Sequence, residues 1–153
     1  MADRLYTSSE SEEILSALRF ETKLEKFILA RMAFALSLVI DGSSVPVSNN
    51  ISGGEMKRPT FVGTDELFLK TTLSYAHRLP DISEDDFYSN KSLIKSHIDN
   101  GCRHLSRMFD ETGHNCDMLL KKVVDLVEFS GRKEIKGSGL DLFIGKTVLD
   151  KKE

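Results

Sequence analysis

Residues 27–40, FILARMAFALSLVI, constrain the fold of this chain more than any other stretch. They are apolar on nearly every helical face, and Arg31 is the only charge among them. A helix that is hydrophobic all round has to be buried all round. At fourteen residues the run is shorter than the roughly 20 apolar residues a membrane span needs. It therefore reads as a buried helix, and no membrane association is expected. A chain of 153 residues builds one core rather than two. Complete burial of such a helix in so small a chain is easiest at a subunit interface. A homo-oligomer is therefore expected, with Phe27, Phe34 and Leu38 as structural or interface residues. Arg31 calls for a carboxylate from the first helix or from Glu55, because an unpaired buried guanidinium is too costly. The alternative is a phosphate in a shared cleft.

Other elements have to wrap this helix. Arg4-Leu5-Tyr6-Thr7 alternates as a short strand does. Ser9-Glu10-Ser11-Glu12 has the form of a capping box, and Ile14, Leu15 and Leu18 follow on one helical face. Thr22-Lys23-Leu24-Glu25 repeats the pattern and should start the apolar helix. Residues 41–59 are punctuated by Gly42, Pro46, Asn49-Asn50, Gly53-Gly54 and Pro59, which reads as one long loop. A connection of that length is usually functional or mobile. Thr64 caps a third helix, with Asp65 and Glu66 in its first turn, His77 and Arg78 in its last, and Pro80 as its stop. A fourth helix over about 90–108 sets Leu93, Ile94, His97, Ile98, Cys102 and Leu105 on one face. Gly113 breaks the chain. A fifth helix near 117–129, with Leu119, Val123, Leu126 and Val127 at helical spacing, ends at Gly131. The tail from Arg132 is basic and glycine-rich, with a short apolar LDLFI segment. The expected fold is mainly α: a short N-terminal strand followed by about five helices.

Composition narrows function less than it narrows fold. Hydrophobic residues make up 40% and charged residues 29%, as in a soluble globular protein. The net charge of −3 means that any nucleic-acid surface has to be local. Two cysteines without a disulfide framework fit a reducing compartment. The N-terminus lacks an apolar signal core, so a cytoplasmic protein is expected.

The motifs that suggest catalysis or metal binding fall short of it. Gly145-Lys146-Thr147 resembles the end of a phosphate loop, but the glycine required five positions earlier is Leu140. Cys102-x-His104, His114-x-Cys116 and His97 are plausible ligands at spacings no common zinc module uses. Asp81 with Glu84-Asp85-Asp86 forms an acidic patch that reads as helix-capping and solubilising. No serine, histidine and carboxylate set stands out. No catalytic residue, metal or cofactor is expected. Basic residues form three small groups: Lys23 with Lys26, Lys57 with Arg58, and Lys91, Lys95, Arg103 and Arg107 against the single acid Asp99. Repeated in an oligomer, such groups can merge into a phosphate-binding surface.

A strand leading into two helices is the layout of ribbon-helix-helix DNA-binding proteins. Three further stretches, in order, are RMAFALSL (31–38), GGEMKRPTFVG (53–63) with DELFL behind it, and IKSHIDNGCRHL (94–105). Together they resemble the DndE family, the small subunit of bacterial DNA phosphorothioation systems. Gly54-Glu55, Arg58, Thr60 and Gly63 are similar to the family's G-x-E-x-x-R-x-T-x-x-G pattern, with the first glycine shifted by one. The likeness covers about residues 3–107. The chain thus divides into a helical domain over 1–109 and a C-terminal extension over 110–153.

The resemblance implies a helical protein with a ribbon-helix-helix-like start that forms a homotetramer. It implies binding to duplex DNA, with a preference for nicked duplex. It also implies work beside sulfurtransferase-like and ATPase subunits in a modification system of the restriction and antiphage type. The chain would be a non-enzymatic accessory subunit. Its DNA contacts would come from Arg4, Lys23, Lys26, Lys57 and Arg58. The chain departs from the family in two places. Lys23 stands where a glycine is usual, which removes the easy left-handed residue, and the first strand is less basic. The alternatives are a ribbon-helix-helix transcriptional regulator reading bases with Arg4 and Tyr6, and a scaffold subunit that touches only protein.

Overall fold

The computed structural model describes residues 4–64, 66–79 and 90–135. Among them the fold is mainly helical. Strand β1 (Arg4–Tyr6) leads into α1 (Ser9–Thr22) and α2 (Lys26–Ile40), and a 3-10 turn (Gly42–Ser44) opens the long loop. Strand β2 (Glu55–Lys57) runs directly into a short α3 (Arg58–Val62), followed by α4 (Glu66–His77), α5 (Lys91–Glu111) and α6 (Cys116–Ile135). The motif Gly145-Lys146-Thr147, the acidic residues 81–86 and the LDLFI segment lie outside the described residues.

Helix α2 is the axis of the molecule. Leu29, Ala30, Ala33, Phe34 and Leu36 are buried, and no residue of α2 is fully exposed. Its cover comes from α1, α3, α4, α5 and α6 of the same chain. The chain itself thus supplies much of the cover, and nine of the fifteen α2 residues keep partial exposure. Phe34 is wholly enclosed, edge-on to Phe61 at 5.8 Å, and cannot meet a second copy. Phe27 and Leu38 are half-buried.

The tightest packing is between α2 and α5. Ile94, Ile98, Cys102, Leu105, Met108 and Phe109 face α2 and the core. Gly101 sits where the two helices cross, and a Cβ there would stand 1.8 Å from the carbonyl oxygen of Ala33. Only a residue without a side chain lets the helices approach this closely. Leu119 of α6 is buried in the same core, with Val123 and Leu126 packed against it.

The first helix starts one residue earlier in its cap than the sequence pattern suggests. Ser8, not Ser9, is the N-cap, and its side chain accepts from the Ser11 amide. Glu12 does not reach back to the cap; it pairs with Lys26. The second capping box is also absent. Thr22 closes α1 by donating its hydroxyl to Leu18 O at 2.7 Å, while Lys23 takes the left-handed position at φ 66°. Helix α2 begins after Glu25, which makes no side-chain cap. Residues 41–59 are not loop throughout, since β2 and the start of α3 lie within them. Helix α6 continues past Gly131 to Ile135.

Strand β1 pairs antiparallel with β2, Arg4 opposite Lys57 and Tyr6 opposite Glu55. Thr7 extends the ladder by exchanging backbone hydrogen bonds with Gly53 and Gly54. In a ribbon-helix-helix dimer that partner would be the strand of a second copy. Here the motif loop folds back to supply it.

Candidate nucleic-acid interface

The period of two along a strand sorts the ribbon into two faces. Leu5 and Met56 point into the core, and Arg4, Tyr6, Glu55 and Lys57 form the outer face. Like charges directly opposite each other repel. Arg4 Nε offsets part of this by pairing with Glu55 Oε1 at 3.3 Å.

An open cleft of about 560 Å³ adjoins the ribbon, lined by Arg4, Tyr6, Asn49, Ile51, Lys91 and Lys95 among others. The first turn of α5 borders it, and the positive end of a helix macrodipole favours an anion there. Lys95 is 5% exposed and donates to Asp99 Oδ2 at 2.7 Å. The Asp99 carboxylate is held by four hydrogen bonds. Besides Lys95 it accepts from the Ser8 amide (3.1 Å), Ser11 Oγ (2.6 Å) and Ser48 Oγ (2.5 Å). Burial alone would raise the pKa of this group. Hydrogen bonds from Lys95, Ser11, Ser48 and the Ser8 backbone outweigh burial and hold it below the ordinary value. Asp99 thus ties the start of α1, the long loop and α5 together beneath the cleft.

His97 lies two positions before Asp99, about 200° around the helix, and looks the other way. Its Nδ1 is 2.8 Å from Ser37 Oγ and its Nε2 is 2.7 Å from His77 Nε2 on α4. Asn100 Nδ2 donates to both Ser37 Oγ and Asp41 Oδ2, and Asp41 Oδ2 lies 2.8 Å from His104 Nε2. Burial and the neighbouring His77 push the His97 pKa down to about 4, so the ring is neutral. A second open cleft, of about 1090 Å³, adjoins this network between the end of α2 and α4. Ser37 and His97 are both fully buried and do not line that cleft, whose polar lining is Asp41, Ser43, Thr71, Ser74, Tyr75, His77 and Arg78.

The five sequence-derived DNA candidates do not form one surface. Arg4 and Lys57 are neighbours on the ribbon. Lys26 pairs with Glu12, in a pocket also bounded by Glu25 and Glu55. Arg58 Nε donates to Glu66 Oε1 at 2.7 Å, with its side chain only 18% exposed. Lys23 is exposed over the ring of Phe20. Arg31 donates to the carbonyl oxygens of Phe61 and Thr60 and lies over the ring of Phe27 at 5.2 Å. Glu55, offered as its partner, is engaged by Arg4. Gly63 takes φ +53°, and a Cβ there would strike the Arg31 guanidinium. The Gly-Glu-Arg-Thr-Gly motif thus helps to fold the ribbon and α3 onto α2.

The suggested metal ligands are dispersed. Cys102 is buried, its thiol pushed up to about 12 by burial. His104 meets Asp41, and His114 meets Glu21 and Asp110. Among the described residues no group of three or more His, Cys, Asp or Glu side chains could hold a metal ion. None of the described helices is long and apolar enough to cross a membrane.

The Lys95–Asp99 pair escaped the sequence reading. Its signal was there, a Lys and an Asp four apart on a helix, but the serines that bury it come from distant segments.

Comparison with curated proteins and with solved structures finds no match. A family model described as DNA sulphur modification protein DndE matches residues 4–112, which span the ribbon, the five helices α1–α5 and the cleft. The chain belongs to the DNA sulphur modification protein DndE family, with a role in DNA sulphur modification.

Proposed function

We propose that this protein is a non-enzymatic accessory subunit that holds duplex DNA by its backbone phosphates while partner subunits carry out the sulphur chemistry. The observation that carries the reading is the outer ribbon face. Arg4 and Lys57 stand side by side there, and the face continues into a cleft that adds Lys91 and Lys95. Phosphate contacts supply most non-specific affinity for DNA, and this is the place where cations from three segments converge. Lys23, Lys26 and Arg58 are further candidates. Lys26 and Arg58 would have to exchange an acid for a phosphate. A homo-oligomer would repeat the surface along a duplex. The proposed division at residue 109 keeps all these groups in one domain. The test is a gel shift of nicked and intact duplex across a salt series. Binding that weakens steeply with salt supports the reading; salt-independent affinity, or no binding, defeats it.

A second reading has its own observation. Helix α4 exposes Leu67, Phe68 and Tyr75, each about two-thirds accessible, on one side. Such an apolar stripe suits a protein partner, here the sulfurtransferase-like or ATPase subunit. Pull-down in nuclease-treated lysate, lost with Phe68→Ser, would favour a scaffold role. The transcriptional-regulator reading has less support, because β1 takes its strand partner from within the chain.

A further inference from the structure

We propose that the outer face of α4 receives an amphipathic helix of a partner protein, apolar where it meets Leu67, Phe68 and Tyr75 and acidic where it meets Arg78. The inference rests on the scaffold reading above and adds the chemistry of what that face binds. Leu67, Thr71, Tyr75 and Arg78 follow one another at steps of three and four residues, and all four are exposed. They therefore line one side, with Phe68 beside them, while Leu69 and Leu73 are the buried residues of α4. Leu67, Thr71 and Tyr75 form a four-residue ridge of the kind that a second helix packs across, and the small Thr71 is its low point. From Leu67 to Tyr75 the ridge spans about 12 Å, or about two turns of a partner helix.

Arg78 decides the charge of that partner. It follows the last residue of α4 at φ 52°, the left-handed position that glycine fills most easily. The Leu79 amide donates back to Ser74 O at 2.9 Å and closes the turn. An arginine here sets an exposed cation at the end of the apolar stripe, at some cost in backbone strain. Its guanidinium has no hydrogen-bond or ion-pair partner among the described residues. Nor does α4 offer it an acid, because Glu66, the one carboxylate of the helix, lies at the far end and is held by Arg58. A second α4 laid on the first would bring another Arg78 and no available acid, so self-pairing leaves both cations unmatched. Duplex DNA would set its row of phosphates against three large apolar side chains and one cation, a poor match. Aromatic residues and arginine without acids are the composition of a protein interface. A helix that is apolar on one side, with an Asp or Glu directed at Arg78, matches both halves of this face.

The test co-expresses the tagged full chain with the sulfurtransferase-like and ATPase subunits and measures their capture in nuclease-treated lysate. Arg78→Glu should weaken capture about tenfold, and Arg78→Lys should keep most of it. Arg78→Gly should also weaken capture while raising the thermal midpoint by about 2 °C, which separates lost binding from lost folding. Carbodiimide treatment of the Arg78→Lys variant should link position 78 to a carboxylate of one of those subunits. Mass spectrometry should place that carboxylate on a segment with apolar residues at helical spacing. Capture that Phe68→Ser abolishes but Arg78→Glu and Arg78→Gly leave intact overturns the inference and leaves the scaffold reading standing. A cross-link that reaches only this chain or a second copy of it overturns the inference too. Capture indifferent to Phe68→Ser, or no capture at all, defeats the scaffold reading and the inference with it.

Discussion

The two sides of α5 bury polar groups in opposite ways. On the ribbon side, Lys95 and Asp99 form a charged pair, with three serines completing the carboxylate's bonds. On the α4 side, His97, His77, Ser37 and Asn100 form a chain around neutral rings that ends on Asp41. The outer surfaces differ to match. Above the ion pair lies a basic cleft, and beyond the histidines lies an α4 face with exposed Leu67, Phe68 and Tyr75. One helix thus supports a surface suited to an anion and another suited to a protein. The charged network fixes an ammonium at the edge of a cleft, whereas the neutral rings secure packing between α2, α4 and α5.

The comparison breaks most visibly at Asp99. Asp99→Ala leaves Lys95 buried without a counter-charge and should destabilise the fold by about 3–5 kcal/mol. Urea denaturation checks it, and replacing Lys95 and Asp99 together by apolar residues should cost far less. If the single change costs no more than the double, the pair is not what organises this side.

Acid should find the other side first. The His97 pKa, about 4 in the fold against an ordinary 6.5, is depressed, so the unfolded chain binds more protons between these values. Stability from the neutral ring is complete above pH 6.5 and is lost as pH falls toward 4. The loss is about 3 kcal/mol at most. His77, lowered by burial, acts in the same direction, while the raised His114 at the surface opposes them weakly. The Asp41 and Asp99 carboxyls, both held below the ordinary carboxylate value, titrate only below this window. Denaturation midpoints from pH 7 to 4 should fall in the wild type and stay flatter in His97→Asn.

Binding separates Lys57 from the cations that already hold an acid. Lys57→Ala should reduce the salt slope of DNA binding by about 0.9. Arg4→Ala, Lys26→Ala and Arg58→Ala should change it less, because Glu55, Glu12 and Glu66 already engage them. The smallest effect is at Lys23, which holds φ 66° at the end of α1. Lys23→Gly should raise stability by about 0.5–1 kcal/mol. A thermal melt measures that gain. A salt slope that falls in the same variant would place a phosphate contact at Lys23.

Much of the architecture was legible in the chain. The amphipathic faces of α1, α4 and α5 and the encircled α2 follow from which residues are apolar, since 3.6-residue periodicity is a local property. The GGEMKRPTFVG loop also carried the family. Cap positions slipped because Ser8 and Ser9 are equivalent in sequence, and Asp99, 91 residues away, bonds the Ser8 amide. The second capping box failed because Thr22 turned its hydroxyl back to Leu18, a choice that nearby polar residues leave open.

What the sequence determined by itself was the need to bury α2, the presence of amphipathic helices along the chain, and the family. Tertiary structure alone decided which segments enclose it, that β1 finds its partner in the motif loop, and which basic residues stay available. Lys26, Lys57 and Arg58 look alike as charges along a chain. They part company because Glu12 and Glu66 come within reach of two of them, while the ribbon register sets Lys57 beside Arg4. Coulomb attraction depends on distance in space, and only the fold assigns those distances.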